Sequence, residues 1–299
     1  MEATSIRVIT WNVFHGRDGL PGLGATRRST WRRVPEDDGV HMHLNRKLTD
    51  LMAERLAAWA PDVCALQEVP TPAIGRIAEI TGMTAVWTTT GPLIALAARN
   101  PDLWRTHEGN ANVLLAGPRA PLVEGSRRSV RLNPVAAILG SARRLGLERG
   151  ELVRYLPEPR RLVLARMTAP GGVQVTVGCT HCHNARHPDV VGDEIARAAA
   201  AVHRAAVNGP AVLAGDLNAP PSHPAMAALA GGGWDGAEPG PGMGIDRIVH
   251  RRMEIVEPAR RMRAEEREVG VIWRGAARRV RLSDHDPVVV VLRATASAS

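Results

Sequence analysis

Six short blocks combine carboxylates, carboxamides and imidazoles, and most border an apolar, β-branched run. They are Trp11-Asn12-Val13, Gln67-Glu68, Thr180-His181, Gly215-Asp216-Leu217-Asn218, Ile245-Asp246-Arg247-Ile248 and Ser283-Asp284-His285-Asp286-Pro287. Strand ends are where α/β folds build their sites. Carboxylate and amide oxygens suit a hard divalent cation. An imidazole, with an ordinary pKa near ~6.5, moves protons near neutrality. Together these types predict a hard divalent ion working beside a proton-transfer partner.

Regular elements must carry these blocks to one place. Apolar, β-branched stretches predict strands over Ile6–Val13, Val63–Val69, Ala111–Ala116, Arg161–Thr168, Val173–Thr180, Ala211–Ala214, Ile245–Val249 and Val288–Leu292. Pro170-Gly171-Gly172 signals a hairpin between the fourth and fifth of these. Helical spacing of Leu48, Leu51, Met52, Leu56 and Trp59 predicts a helix over Leu44–Trp59, stopped by Pro61. Further helices are expected over Thr71–Thr81, Pro134–Leu147 and Asp193–Val207. Residues 16–43 and 231–244 read as loops, and 84–125 carry little pattern beyond the strand at 111. Strands and helices interleave without an interdomain linker, which predicts one α/β domain over residues 1–293. Insertions fall at about 16–43 and 118–156, and a loose tail at 294–299.

Composition narrows the class. Of 299 residues, 44% are hydrophobic and 23% charged, which excludes overall disorder. No apolar run approaches the roughly 18 residues of a membrane helix. The opening MEATSIRVITWNV lacks a basic segment followed by an apolar stretch, so no secretory leader is expected. Three cysteines are too few for a disulfide scaffold, and the expected compartment is the reducing cytoplasm. The formal charge is +8, and Lys47 is the sole lysine. Arginine in place of lysine fits a GC-rich genome, but the net positive charge calls for an anionic partner.

In order, and ending in Ser283-Asp284-His285-Asp286-Pro287, the six blocks resemble the endonuclease/exonuclease/phosphatase superfamily. That group includes pancreatic-type deoxyribonucleases, abasic-site endonucleases, inositol polyphosphate 5-phosphatases and bacterial sphingomyelinases. The resemblance spans Ile6 to about Leu292. It implies a four-layer α-β-β-α sandwich of two mixed β-sheets flanked by helices, with the site at one edge. It implies that Asn12 and Glu68 hold Mg²⁺ (or Mn²⁺ in its place), with Asp284 a further metal or metal-water ligand. By the same match, Asp216 and Asn218 orient water and phosphate. His285 is the catalytic histidine, paired with Asp246, and His181 contacts phosphate or leaving group. Arg160 or Arg161 falls where some members place a phosphate-contacting arginine, and Asn112 is taken with them as a substrate contact.

The chemistry accounts for these types. A phosphodiester anion repels hydroxide, so positive charge must sit on its non-bridging oxygens while a water loses a proton. The implied activity is phosphodiester hydrolysis by in-line water attack, on DNA or RNA. A phosphoinositide or phospholipid substrate is the alternative within catalysis, and a non-catalytic nucleic-acid-binding member the alternative outside it. With one Tyr and one Phe, base-stacking platforms are scarce, though arginine contacts to a backbone need none. The chain reads as a monomer with no transmembrane segment and no obligate protein partner.

Other features compete for a role. Cys179-x-x-Cys182, flanked by His181 and His183, suggests zinc or a redox pair, but residues 179 and 182 point to opposite faces of a strand, which disfavours joint ligation. His15, His41, His43 and the Trp31-Arg32-Arg33 run belong to a solvated loop or to one that touches substrate. The stretch 251–281 holds ten arginines and five glutamates. It reads as a solvated helix and loop, or as a rim facing phosphate.

Overall fold

The computed structural model describes residues 5–13, 32–36, 39–43, 48–90, 110–134, 139–140, 143, 159–184, 188–236, 244–273 and 275–294. In chain order the strands are β1 (Ser5–Asn12), β2 (Arg32–Glu36), β3 (Gly39–His43), β4 (Val63–Val69), β5 (Thr84–Thr89), β6 (Ala111–Ala116), β7 (Arg128–Arg131) and β8 (Arg161–Thr168). They continue with β9 (Gln174–His181), β10 (Ala211–Asp216), β11 (Asp246–Arg251), β12 (Met253–Arg261), β13 (Glu268–Trp273), β14 (Ala276–Arg281) and β15 (Val288–Ala294). The helices are α1 (Thr49–Trp59), α2 (Ile74–Thr81), α3 (Pro188–Ala206), α4 (Pro224–Gly231) and the single turn α5 (Ala264–Arg267).

Two mixed sheets carry the fold. One has six strands in the order β12-β15-β1-β4-β6-β5, the other five in the order β11-β10-β9-β8-β7. In the first, β1 runs parallel to β4 (Asn12 beside Gln67) and antiparallel to β15 (Thr10 beside Val288). The ends of β1 and β4 and the start of β15 therefore share one edge. In the second, β10 runs parallel to β9 (Asp216 beside His181) and antiparallel to β11 (Asp216 beside Asp246), so those residues share an edge too.

The sheets pack face to face. Ile6, Val8, Ala65, Leu114 and Val290 meet Val163, Ala165, Val177, Val212 and Ile248 in the core between them. Side chains alternate across each strand: on β10, Val212 and Ala214 point inward while Ala211 and Leu213 point outward. Outside the six-stranded sheet, α1 and α2 bury Met52, Leu56, Ile74 and Ile77 against Ile9, Leu66 and Val113. Outside the other, α3 and α4 bury Ile195, Ala198, Val202 and Met226 against Leu162, Leu213 and Val249. The order of layers is α-β-β-α. Each large aliphatic side chain buried here contributes about 1.5–3 kcal/mol. Strands covered on both faces read as unbroken apolar runs, as Val-Cys-Ala-Leu in β4 does.

Several elements depart from the sequence reading. Residues 32–43 hold a hairpin, β2–β3, inside the expected loop. Helix α1 begins at Thr49, with Leu44 to Lys47 outside the described residues. Helix α3 starts five residues early, at Pro188, because proline is well placed in a first turn. The stretch 251–281 is mostly strand: β12 closes the edge of the large sheet against β15, and β13 pairs with β14. Strand β15 extends through Ala294, which pairs with Met253 and is not part of a tail. Most of the helix expected over 134–147, with Pro134, Leu139, Gly140 and Arg143 excepted, lies outside the described residues, as does most of 231–244 beyond Gly236. No helix among the described residues is long and apolar enough to cross a membrane.

Candidate active site

The two strand edges meet at one end of the sandwich. Glu68 occupies a break in the β4–β6 register between Leu66 and Val69, with φ 54°. Such a bulge re-aims a side chain, and here it turns the carboxyl toward the neighbouring sheet. Gln67, beneath it, donates to Thr10 Oγ1 (3.1 Å) and to Cys179 Sγ (3.3 Å), tying β4 to β9. Gly215 precedes Asp216 at φ 151°, and a Cβ there would lie 1.9 Å from Thr180 O. Only glycine lets β10 run this close to β9 while delivering Asp216 beside His181.

The segment before β15 is held from several directions. Ser283 Oγ donates to Asn12 O (2.6 Å) and accepts from His285 N (3.1 Å). Trp11 Nε1 donates to His285 O (3.1 Å). These bonds set Asp284 and His285 over the end of β1.

Asp216 lies at the centre. Its Oδ2 accepts from Asn12 Nδ2 (3.1 Å) and lies 3.4 Å from His181 Nε2 and 3.7 Å from His285 Nε2. Its Oδ1 accepts from Asn218 N (3.0 Å). Asn12 Nδ2 also reaches Glu68 Oε1 (3.3 Å), and His181 Nδ1 lies 3.7 Å from that oxygen. His285 Nδ1 lies 2.8 Å from Asp246 Oδ2, and Asp284 Oδ1 is 4.0 Å from His285 Nε2. Residues from position 12 to position 285 thus form one contiguous cluster. Asn218 takes part through its backbone N–H, while its Nδ2 donates to Cys182 O (2.8 Å).

Burial and mutual charge push these groups from their ordinary ranges. Glu68 is raised to about 7, by burial first, with Asp284 and Asp216 adding to it against the bond from Asn12. Asp216 is raised to about 6 by burial and by the charge of Asp246. For His285, burial disfavours the charge. The bond to Asp246 and the charges of Asp246, Asp216 and Asp284 outweigh it and raise the imidazole to about 10. At neutral pH the site therefore pairs an imidazolium with carboxyls poised to exchange protons.

Arg160, Arg161 and Asn112 stand along the same edge, beside the cluster rather than within it. Pairing of Leu162 with Thr180 brings the start of β8 next to the end of β9 that carries His181. Arg160 is buried, with its N–H bonded to Asn133 Oδ1 (2.8 Å). Arg161 Nη1 reaches Ser129 Oγ (3.4 Å). Asn112 is fully buried, and its Nδ2 donates to Arg161 O (2.7 Å), linking the sheets.

The cysteines are buried and unpaired by disulfide. Cys179 faces the core between the sheets and Cys182 the layer under α3, so the two do not converge. His15 and Trp31 fall outside the described residues, and only the backbone is described at Arg32, Arg33, His41 and His43.

Two supports escaped the sequence reading. His183 gives its N–H to Glu194 Oε2 (2.8 Å), and its Nδ1 lies 2.6 Å from Glu194 Oε1, both residues buried. Asp286 is contacted by Arg267 Nε (3.2 Å), Arg261 Nη1 (3.6 Å) and Arg281 Nη2. Neither set of partners falls at a spacing that marks a contact in the sequence.

The residues suit a divalent ion. Asp216, Asp246 and His285 offer ligand-type atoms within 4.8 Å of one another. The 2.8 Å bond between His285 and Asp246 already engages that pair with each other. Glu68, Asp284 and Asn12 supply oxygen donors of the kind Mg²⁺ prefers. A half-turn of the Asn12 amide exchanges its nitrogen for its oxygen. A buried carboxyl raised by two neighbouring carboxylates is also the environment a cation relieves.

The model of the endonuclease/exonuclease/phosphatase family matches residues 9–285, and the chain belongs to that family. Solved structures agree on the fold. A family protein from Bacteroides thetaiotaomicron superposes with a TM-score of 0.65 at 14% identity, covering 99% of this chain and 100% of that one. The human Nocturnin catalytic domain with bound sulfate gives 0.63 at 15% identity, covering 98% and 94%. A mannosyl-6-phosphatase from Bacteroides thetaiotaomicron VPI-5482 gives 0.62 at 13%, covering 96% and 99%. No curated protein sequence matches the chain.

Proposed function

We propose that the protein is a divalent-metal-dependent phosphodiesterase, a nuclease acting on DNA or RNA. The observation that carries this reading is the placement of one carboxylate, Asp216, between two imidazoles and the Asn12 amide, beside Glu68 and Asp284. Glu68, Asp284 and Asn12 would hold the ion, which supplies positive charge to the non-bridging oxygens of the phosphate.

The protein's own groups divide the remaining work. Asp216, held through Oδ1 by the Asn218 N–H and titrating near 6, orients the attacking water and accepts its proton. His285 stays charged because Asp246 fixes its Nδ1, so its Nε2 faces the phosphate as a donor. His181, on the Glu68 side, donates to the leaving oxygen. The net charge of +8 favours a polyanionic substrate.

The test is hydrolysis of bis-p-nitrophenyl phosphate, plasmid, single-stranded and abasic DNA, RNA, phosphoinositide and sphingomyelin with Mg²⁺ or Mn²⁺. Metal-dependent cleavage of nucleic acid, reduced on the order of 10²-fold or more in His285→Ala, is expected. Turnover confined to a lipid or inositol phosphate would reassign the substrate. Equal rates for wild type and His285→Ala would end the reading.

A further inference from the structure

Arg261, at the end of β12, is placed differently from the arginines around it. Arg260 is bound by Glu266 through two bonds of 2.8 Å. Arg267 and Arg281 are buried against Asp286. The Arg261 side chain is 42% exposed, and its nearest carboxylate oxygen among the described residues is 3.6 Å away on that same, already shared Asp286.

Its backbone pairs with Val288 at the start of β15, directly after the Ser283–Pro287 segment. Its guanidinium crosses toward the other sheet: a Cβ on Gly244 would lie 2.2 Å from Arg261 Nη2. Gly244 is two residues before Asp246, and Asp286 follows His285. Arg261 therefore spans the rim at the His285–Asp246 pair, touching the segments that carry both. Glycine at 244 leaves the space in which the guanidinium lies.

We propose that Arg261 is a specificity-determining contact for a second anionic group on the substrate, the phosphate next to the scissile one in a nucleic-acid strand. The inference rests on the reading of the site as a phosphodiesterase and says what extends beyond the reacting phosphate. A planar, permanently charged donor fork at the rim suits a phosphate oxygen pair. Being solvent-exposed, it contributes to affinity in a salt-dependent way.

The test compares bis-p-nitrophenyl phosphate, which carries one phosphate, with a short oligonucleotide, at several salt concentrations with Mg²⁺ or Mn²⁺ present. Arg261→Ala should raise KM for the oligonucleotide about tenfold, at least several times more than any change on the small ester. It should also lower the slope of log KM against log salt by about one. Arg261→Lys should recover part of the loss. Gly244→Ala, which displaces the guanidinium without removing its charge, should reproduce part of it. Equal losses on both substrates, or an unchanged salt slope, would overturn the subsite alone. Wild type inert on both would overturn the proposed function and the subsite with it.

Discussion

Glu68→Gln separates what the carboxylate does for function from what it costs the fold. A carboxyl whose ordinary value of 4.5 becomes about 7 in the folded protein is penalised whenever it is ionised. The sign follows from linkage. Below about 4.5 the group is protonated in both states and costs nothing. The cost grows between 4.5 and 7, and above 7 it is complete, at about 3 kcal/mol. Glutamine keeps the shape and still accepts from Asn12 Nδ2. The metal-free variant should therefore be more stable than metal-free wild type at pH 8, by about 1–3 kcal/mol, or several degrees in Tm for a chain of this length. The gain should vanish at pH 4.5. Adding Mg²⁺ or Mn²⁺ should stabilise wild type and leave the variant almost unmoved, and hydrolysis should be lost. Thermal melts at the two pH values, in chelator and in metal, read all of this. A variant less stable than wild type at pH 8 without metal, or a difference independent of pH, would refute the electrostatic account of the site.

Asp246→Asn should let the His285 imidazole fall from about 10 toward 6.5, moving the alkaline limb of the kcat/KM profile down in pH and cutting the rate on the order of 10²-fold or more. The charged pair itself stabilises the fold below about 6.5, and that contribution fades as pH rises through 10; urea midpoints across this range should show it in wild type and not in the variant. Asp286→Ala removes the carboxylate that Arg267, Arg281 and Arg261 share and should cost about 1–3 kcal/mol of stability in urea unfolding; an unchanged urea midpoint would contradict the role given to that carboxylate. Glu194→Ala should cost about 2 kcal/mol or more by removing the acceptor of the His183 N–H, and retention of the wild-type urea midpoint would contradict the role given to that bond.

How much of this was legible in the sequence depended on how local each signal is. Strands β4 and β6 appear at their full lengths, because a strand covered on both faces writes its burial as an apolar run. Strand β12 did not appear: at the edge of its sheet it exposes most of its length, and Glu254, Glu257, Arg260 and Arg261 break any alternation. The residues clustered around Asp216 were recognisable because each lies at a strand end within a short block. The clamp of Glu194 on His183 and the arginines around Asp286 were not, since neither partner announces the other. Nothing in the sequence announces that Asn112, expected to contact substrate, gives its amide nitrogen to the Arg161 carbonyl across the gap between the sheets.

The site is divided between the two sheets: Asn12 and Glu68 lie on the six-stranded one, with Asp284 and His285 in the segment that leads into its β15, and His181, Asp216 and Asp246 lie on the other. The separation of the sheets, set by side chains such as Val8, Leu114, Val177 and Ile248, works as a calliper on the distance between the two halves of the cluster. On the proposed function, a methyl group added or removed deep in the interior should therefore alter turnover without touching a reacting atom. Natural variation in that interior should be filtered by turnover as strictly as by folding.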